Sequence, residues 1–352
     1  MIGKTLYTLL AGIVLFVLLV SLYVVLLVRK LRGKAYAVRR DRWMNDMNRP
    51  DSSLSRFLAG EEEDECLLPL QPMHVEALED IFSNRLKLFS SAKETEKIAL
   101  FAGKHFSDLY RERLRKSRWS KRMNTLLYME MFRMTNMKND LLAHLARPVC
   151  TLQERYTIYR MLSVFHDAIV HDVLLENPAL PPSLYRQMLY PLPLAQLESY
   201  IRGFDQTPAW LQPHVLDVLR VRNERTAELL ELLERLLAAD AAELRIRALK
   251  GLAAFGDMSQ DSVNLLLANM NVWQKRDWPE RLMLVRLMGS IREAEFLPYL
   301  DYFIGDGAYL VRSEAATSIA KYQGGREYLN WLSLHHTDRF AREMAEERRR
   351  PH

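Results

Sequence analysis

Small and apolar residues recur along the chain at helical spacing, and an arginine opens the pattern each time. The five arginines are Arg122, Arg155, Arg245, Arg281 and Arg312. After Arg245, the residues at plus three, plus seven and plus ten are Ala248, Leu252 and Phe255. Such positions share one face of a helix. Self-similarity at about 30 to 45 residues predicts an array of helical hairpins, each of which buries its apolar face only against its neighbours.

The composition agrees with a folded helical protein. Of the 352 residues, 49% are hydrophobic and 26% are charged, which argues against wholesale disorder. The chain has only 13 glycines and 14 prolines, which disfavours a turn-rich all-β protein. Its two cysteines, Cys66 and Cys150, form no CxxC pair, and we interpret them as free thiols in a reducing compartment.

Two stretches resemble the second helix of a HEAT repeat. They run from Leu244 to Asp257 and from Leu310 to Tyr322. The resemblance is good over residues 240–335, fair over 118–170 and poor over 172–225. It implies an all-α superhelix of the HEAT or armadillo type, here over residues 73–340, followed by a charged tail over 341–352. It also implies that the repeated arginines pair along the stack with acidic groups of neighbouring turns.

The N-terminal segment predicts a membrane anchor. Residues 5–28 carry no charge and are long enough, as a helix, to cross a bilayer. Seven basic residues follow within residues 29–42, against Lys4 alone before the segment. The positive-inside rule then places residues 1–4 outside the cell membrane and the rest of this single-pass chain in the cytoplasm.

Residues 29–72 are predicted to be a basic juxtamembrane segment and a flexible acidic linker. The linker contains Pro50, Gly60, Pro69 and an unbroken acidic run over 61–65. This composition buries too little apolar surface to fold by itself. The basic flank is explained equally well by binding to anionic headgroups and by its role in setting the orientation of the membrane segment.

The best candidate for a partner-binding surface is the basic stretch over residues 111–122. If the stretch is one helix, four arginines form a cationic stripe with a tryptophan beside it. The candidate residues are Arg111, Arg115, Arg118, Trp119 and Arg122. A solvated connection between helices, with Trp119 packed inward, explains the same residues without a binding role.

No catalytic or cofactor-binding motif is found in the sequence. The pairs His166–Asp167 and His171–Asp172, and the cluster of His335, His336 and Asp338, have too few ligands for a closed metal site. We therefore expect no catalytic residue, no metal and no cofactor. Nucleic acid is the least expected ligand, because the net charge is only +5 and no known reader fold is recognisable.

These observations favour a membrane-anchored cytoplasmic scaffold that binds a protein partner through a helical-repeat groove. A membrane enzyme, such as a glycosyltransferase complex, is one class of partner that fits. Two alternatives stay open at this stage. One is a HEAT-like enzyme of the metal-dependent or lyase type, and the other is a peripheral sensor of anionic lipid.

Overall fold

A computed structural model of the chain describes residues 2–88 and 91–349, with side chains described for residues 15–88 and 91–349. Within these residues the chain forms 21 α-helices, a few short 3-10 turns and no β-strand. The all-α prediction is therefore confirmed. The chain divides into two compact units, residues 1–158 and 159–352, and the division falls inside one helix.

The first unit contains seven helices and the beginning of an eighth. They are α1 (Ile2–Met47), α2 (Ser53–Ala59), α3 (Pro72–Leu88), α4 (Ala92–His105), α5 (Ser107–Lys116), α6 (Trp119–Met131), α7 (Lys138–Leu145) and α8 (Leu152–Val164). Two of these helices, α2 and α4, have a serine N-cap. The hydroxyls of Ser52 and Ser91 accept hydrogen bonds from the backbone N–H groups of Ser55 and Glu94. A cluster of phenylalanine rings fills the core beneath α3, α4 and α6 (Phe82, Phe101, Phe106, Phe132).

The structure contradicts the predicted membrane anchor. Among the described residues, no helix is long and apolar enough to cross a membrane. This finding contradicts three predictions, which are therefore wrong. They are the transmembrane helix over 5–28, the single-pass topology and the cell-membrane localisation. The side chains of residues 1–14, including the predicted extracytoplasmic segment 1–4, lie outside the described part.

Residues 29–72 belong to the first unit, and parts of them pack against α3 and α4. The helix α1 continues to Met47, and Trp43 stacks on His74 of α3 at 4.8 Å between ring centroids. In α2, Leu54 is fully buried. The acidic run reaches α4, where the Asp64 carboxylate accepts hydrogen bonds from Lys104 at 3.1 Å and pairs with His105.

The second unit contains the end of α8 and thirteen further helices. They are α9 (Ile169–Glu176), α10 (Pro182–Leu189), α11 (Leu194–Arg202), α12 (Gln212–Val221), α13 (Ala227–Arg235), α14 (Ala242–Phe255), α15 (Gln260–Ala268), α16 (Met270–Trp273), α17 (Trp278–Ile291), α18 (Leu297–Phe303), α19 (Tyr309–Ile319), α20 (Gly325–His335) and α21 (Arg339–Arg349). The last of these covers most of the predicted charged tail, and it buries Ala341, Met344 and Ala345.

Helical hairpins pack in sequence order in the second unit. The second helix of each hairpin contacts the next, from α10 through α12, α14, α17 and α19 to α21. The residues at plus three and plus seven from all five predicted arginines are buried, as the spacing predicts (Thr125, Met129, Ile158, Leu162, Ala248, Leu252, Leu284, Met288, Ala315, Ile319). This all-helical packing is consistent with a helical-repeat array.

A glycine lets two of these helices approach closely. The Ser318 hydroxyl of α19 donates to the carbonyl of Val285 in α17 at 3.0 Å. A Cβ added at Gly289 would lie 2.5 Å from the Cβ of Ser318, closer than two carbon atoms can pack. The contact between α17 and α19 therefore requires glycine at position 289.

Candidate functional site

The repeated arginine occupies the same place in each helix that it opens. Arg122, Arg155, Arg245, Arg281 and Arg312 are the fourth residues of α6, α8, α14, α17 and α19. In four of the five, Nη1 donates back to carbonyls five or six residues earlier, in the turn that precedes the helix. The acceptors are Ser117 for Arg122, Ala239 and Asp240 for Arg245, Arg276 for Arg281, and Asp306 and Gly307 for Arg312. Each of these arginines thus ties a helix to its own entry turn.

Three of the arginines also bind a carboxylate from the following hairpin, and we call this set the arginine ladder. Arg122 donates through Nε to Glu154 at 2.7 Å and through Nη2 at 3.2 Å. Arg245 binds Glu280 in the same way at 2.6 and 3.0 Å. Arg281 binds Asp306 at 2.7 and 2.9 Å. The stack pairing implied by the HEAT resemblance is therefore present at these three positions.

Glu154 has the most complete set of partners. It accepts the backbone N–H of Thr151 at 2.8 Å, the Thr151 hydroxyl at 2.9 Å and the two bonds from Arg122. With Thr151 as the residue before α8, this is a capping box. Burial by itself would raise the pKa of Glu154, but the hydrogen bonds from Arg122 and Thr151 outweigh burial and hold the pKa at about 2.

Arg155 and Arg342 depart from the sequence prediction. Arg155 is exposed, and the carbonyl six residues before it, that of Val149, accepts a hydrogen bond from Arg122. Arg342, the fourth residue of α21, was missed, although its Nη1 donates to the carbonyls of His336 and Thr337 at 2.6 and 3.0 Å. Ala345 stands at plus three from Arg342, but the residue at plus seven is Arg349, so the apolar pattern that identified the other arginines is incomplete there.

The predicted cationic stripe does not lie on one helix. Helix α5 ends at Lys116 and α6 begins at Trp119, so Arg118 lies in the connection between them. Arg111 binds Asp140 at 2.9 Å and Asp108 at 2.7 Å, and Arg122 belongs to the arginine ladder. Both arginines are thus engaged in ion pairs, and the Arg122 side chain is only 12% exposed.

The rest of the basic stretch forms an exposed patch, which we call the basic corner (Arg115, Lys116, Arg118, Trp119 and Lys121). The Trp119 indole N–H donates to the Thr151 hydroxyl at 3.2 Å, while the side chain stays 44% exposed. Trp119 thus points outward from the start of α6 with a fixed orientation. Whether this surface binds a partner stays a prediction.

The residues considered for metal binding have structural partners. Asp167 accepts the backbone N–H of Ile169 at 2.9 Å, and His171 Nδ1 lies 2.8 Å from the Tyr200 hydroxyl. His335 Nδ1 lies 2.9 Å from the carbonyl of Trp331, and His336 Nδ1 accepts the backbone N–H of Asp338 at 3.0 Å. Asp167, His171, His335 and His336 therefore each have a hydrogen-bond partner within the protein.

A different group of metal-ligand types lies in the first unit. Ligand atoms of His144, Cys150 and Glu154, all buried, lie within 4.8 Å of one another. Both carboxylate oxygens of Glu154 are already engaged by Arg122 and Thr151. Burial lowers the pKa of His144 and raises that of Cys150, so both are neutral near pH 7. The cluster was missed because a histidine and a cysteine six residues apart form no known ligand motif.

The second unit has a groove between first helices of successive hairpins, and we call it the α13–α16 groove. Its volume is about 430 Å³, within the range of about 300 to 1,000 Å³ that is usual for binding pockets. Leu266 and Trp273 form a buried floor, while Leu265 and Val272 on the wall are 62% and 46% exposed. Clustered apolar side chains of this kind mark interaction surfaces.

Polar groups at the rim of this groove differ in whether they have hydrogen-bond partners. Arg235 binds both carboxylate oxygens of Asp205, and Glu234 accepts from the backbone and hydroxyl of Ser259. The Nε of Arg276, in contrast, is buried without a hydrogen-bond partner among the described residues. The groove therefore combines an apolar wall with an arginine whose Nε has no acceptor among the described residues. Sequence reasoning missed it, since it depends on the distance between helices.

Comparisons with known proteins add little to this geometry. No protein-family model and no curated protein matches the chain. Among solved structures, the crystal structure of an engineered protein is similar at 14% sequence identity, with 87% of each chain covered and a TM-score of 0.31. A TM-score this low does not establish a shared fold.

Proposed function

We propose that the chain is a helical-repeat scaffold of the HEAT type that binds a protein partner in the α13–α16 groove. The arginine ladder and the buried residues at plus three and plus seven support the repeat type. The observation that carries the binding function is the pair of exposed apolar side chains, Leu265 and Val272, on the wall of an open groove. Arrays of helical hairpins commonly use such surfaces to bind other proteins.

The groove fits an amphipathic partner helix or an extended segment with apolar anchors. Leu265 and Val272 offer apolar contact, and Arg276 offers a buried Nε without an acceptor. Arg276 lines this end of the groove, so a partner carboxylate there would pair with its guanidinium group. We therefore expect an apolar segment with an acidic residue at one end.

Paired affinity purifications test this function. Three proteins are expressed in cells: the wild-type chain, the groove variant Leu265→Asp/Val272→Asp and the control Leu334→Asp. The cells are mildly crosslinked, and each protein is then purified with whatever is bound to it. Leu334 is 67% exposed in α20, so its replacement introduces an aspartate at a similarly exposed site outside the groove, adding one negative charge where the groove variant adds two. A protein recovered with wild type and control, and lost with the groove variant, is then purified and titrated directly.

Direct binding that is weakened by the groove variant alone would support the proposal. Equal recovery with all three proteins, or no direct binding by the recovered protein, would contradict it. The thermal midpoints of the three proteins are compared first, because a groove variant that unfolds would lose its partner for a trivial reason.

A further inference from the structure

The arginine at the start of α19 lacks the acid that completes the arginine ladder. Arg312 shares the helix position and the carbonyl contacts of Arg122, Arg245 and Arg281. In each of those three, Nε donates to a carboxylate. In Arg312, the Nε is buried and has no hydrogen-bond partner in the part of the chain that the structure describes.

Two aromatic rings take the place of the carboxylate. The guanidinium carbon of Arg312 lies 5.9 Å from the ring centroid of Tyr309 and 5.3 Å from that of Phe340. These rings are 52% and 57% exposed, and the neighbouring Leu310 is exposed as well. A cation–π contact of this kind at an exposed site stabilises the charge less than a charge-assisted hydrogen bond does.

We propose that Arg312, Tyr309 and Phe340 form a binding site for a carboxylate side chain of an acidic protein segment. The ligand chemistry follows from the ladder, in which the same guanidinium edge binds glutamate or aspartate three times. The exposed Tyr309, Leu310 and Phe340 side chains favour a segment in which acidic and apolar residues alternate. The Nε is buried in this structure, so binding requires the exposed Phe340 ring to move aside and admit the carboxylate.

The site is separate from the α13–α16 groove and does not depend on it. It is formed by α19 and the first turn of α21, whereas the groove is formed by α13, α15 and α16. A partner with one acidic-apolar segment and one apolar helix would use both. Failure of either test leaves the other proposal standing.

Fluorescence anisotropy with a labelled peptide of alternating glutamate and leucine tests the site. Wild type is expected to bind this peptide and not its glutamine–leucine counterpart. Arg312→Gln should weaken binding about tenfold or more, because a charge-assisted pair of hydrogen bonds is lost. The control Arg339→Gln removes the same charge at the start of α21 from an exposed arginine that pairs with Glu343, and it should change the affinity less than about twofold.

An internal carboxylate gives a second readout that needs no ligand. Phe340→Glu places an acid over Arg312, and it should raise the thermal midpoint by about 2 to 4 °C relative to Phe340→Gln, as a gain of about 1 kcal/mol would. It should also abolish peptide binding by occupying the site. No peptide binding by wild type, or equal weakening by Arg312→Gln and Arg339→Gln, would overturn the proposal. A Phe340→Glu variant no more stable than Phe340→Gln would do the same.

Discussion

Arg245 and Glu280 form a buried, two-bond ion pair between α14 and α17, although they are 35 residues apart in the sequence. The same guanidinium donates to two carbonyls of the turn before α14, at 2.6 Å each. One side chain therefore fixes the entry of its own helix and joins it to the next hairpin. The arginine ladder is thus the electrostatic link between successive hairpins, alongside their apolar contacts.

Replacing Arg245 with Met should destabilise the second unit strongly. Breaking a buried pair leaves an uncompensated charge on Glu280, at a cost of about 3 to 5 kcal/mol. The double variant Arg245→Met/Glu280→Met should recover much of that loss, because it leaves no buried charge behind. Urea unfolding of the three proteins measures both effects. Single and double variants with equal loss would mean that Arg245 acts through its carbonyl contacts and not through Glu280.

The arginines of the basic stretch over residues 111–122 should differ in their contribution to stability. The double charge reversal Arg115→Glu/Arg118→Glu should leave the thermal midpoint within about 1 °C of wild type, because both side chains are exposed. The single change Arg122→Gln should lower the midpoint by several degrees, since it leaves Glu154 buried without its main partner. Differential scanning calorimetry distinguishes the two cases. Similar losses in both variants would contradict this division.

Glu154 should make the first unit sensitive to acid. Its folded-state pKa of about 2 lies below the ordinary value of 4.5. The ionised carboxylate therefore contributes stability above about pH 4.5, and this contribution is lost as the pH falls towards 2. A shift of this size corresponds to about 3 kcal/mol. The difference in unfolding free energy between wild type and Glu154→Gln should shrink as the pH falls from 6 to 3.

The exposed Glu112, which pairs with Lys116 on the surface of α5, provides the control for this measurement. The difference between wild type and Glu112→Gln should be small at every pH, because surface ion pairs contribute little. A pH-independent difference for Glu154→Gln would show that the carboxylate is not the group that titrates.

Gly289 should not tolerate a side chain. Alanine is normally favoured over glycine inside a helix by about 1 kcal/mol. At position 289 the added Cβ would lie within 2.5 Å of the Ser318 Cβ, so Gly289→Ala should instead cost about 1 to 3 kcal/mol. Gly307→Ala is the control, because nothing lies within 4 Å of a Cβ there. Chemical unfolding of both variants gives the comparison, and a stabilised Gly289→Ala would refute the close approach of α17 and α19.

Local spacing was enough to predict the helices that the five arginines open, whereas the pairing of these arginines with acidic groups was predicted from the HEAT resemblance. The position of each arginine three residues after a helix start, with apolar residues at plus three and plus seven, is a property of the local sequence. The acidic partners of these arginines could not be predicted from spacing. Glu280 and Asp306 follow their arginines by 35 and 25 residues, so the offset is not fixed. Hairpin length varies along the chain, so only the structure brings these residues together.

The binding surfaces could not be predicted from the sequence in the same way. Leu265 and Leu266 are adjacent leucines in one helix, yet one lies on the open wall of the groove and the other in its floor. Their difference depends on how far α13 and α16 lie from α15. Similarly, the basic stretch over 111–122 has the composition of one continuous helix, and the break at Ser117 and Arg118 divides its charges between two directions.

Site-specific photo-crosslinking tests the central claim most directly. A photoreactive amino acid is placed at position 265 or 272 in the groove and, as control, at the equally accessible position 334. The account predicts one discrete crosslinked protein from both groove positions, mapped by mass spectrometry to an apolar segment next to an acidic residue, and none from position 334. Crosslinks that are absent from the groove, or that are the same at all three positions, would contradict a protein-binding role for the groove.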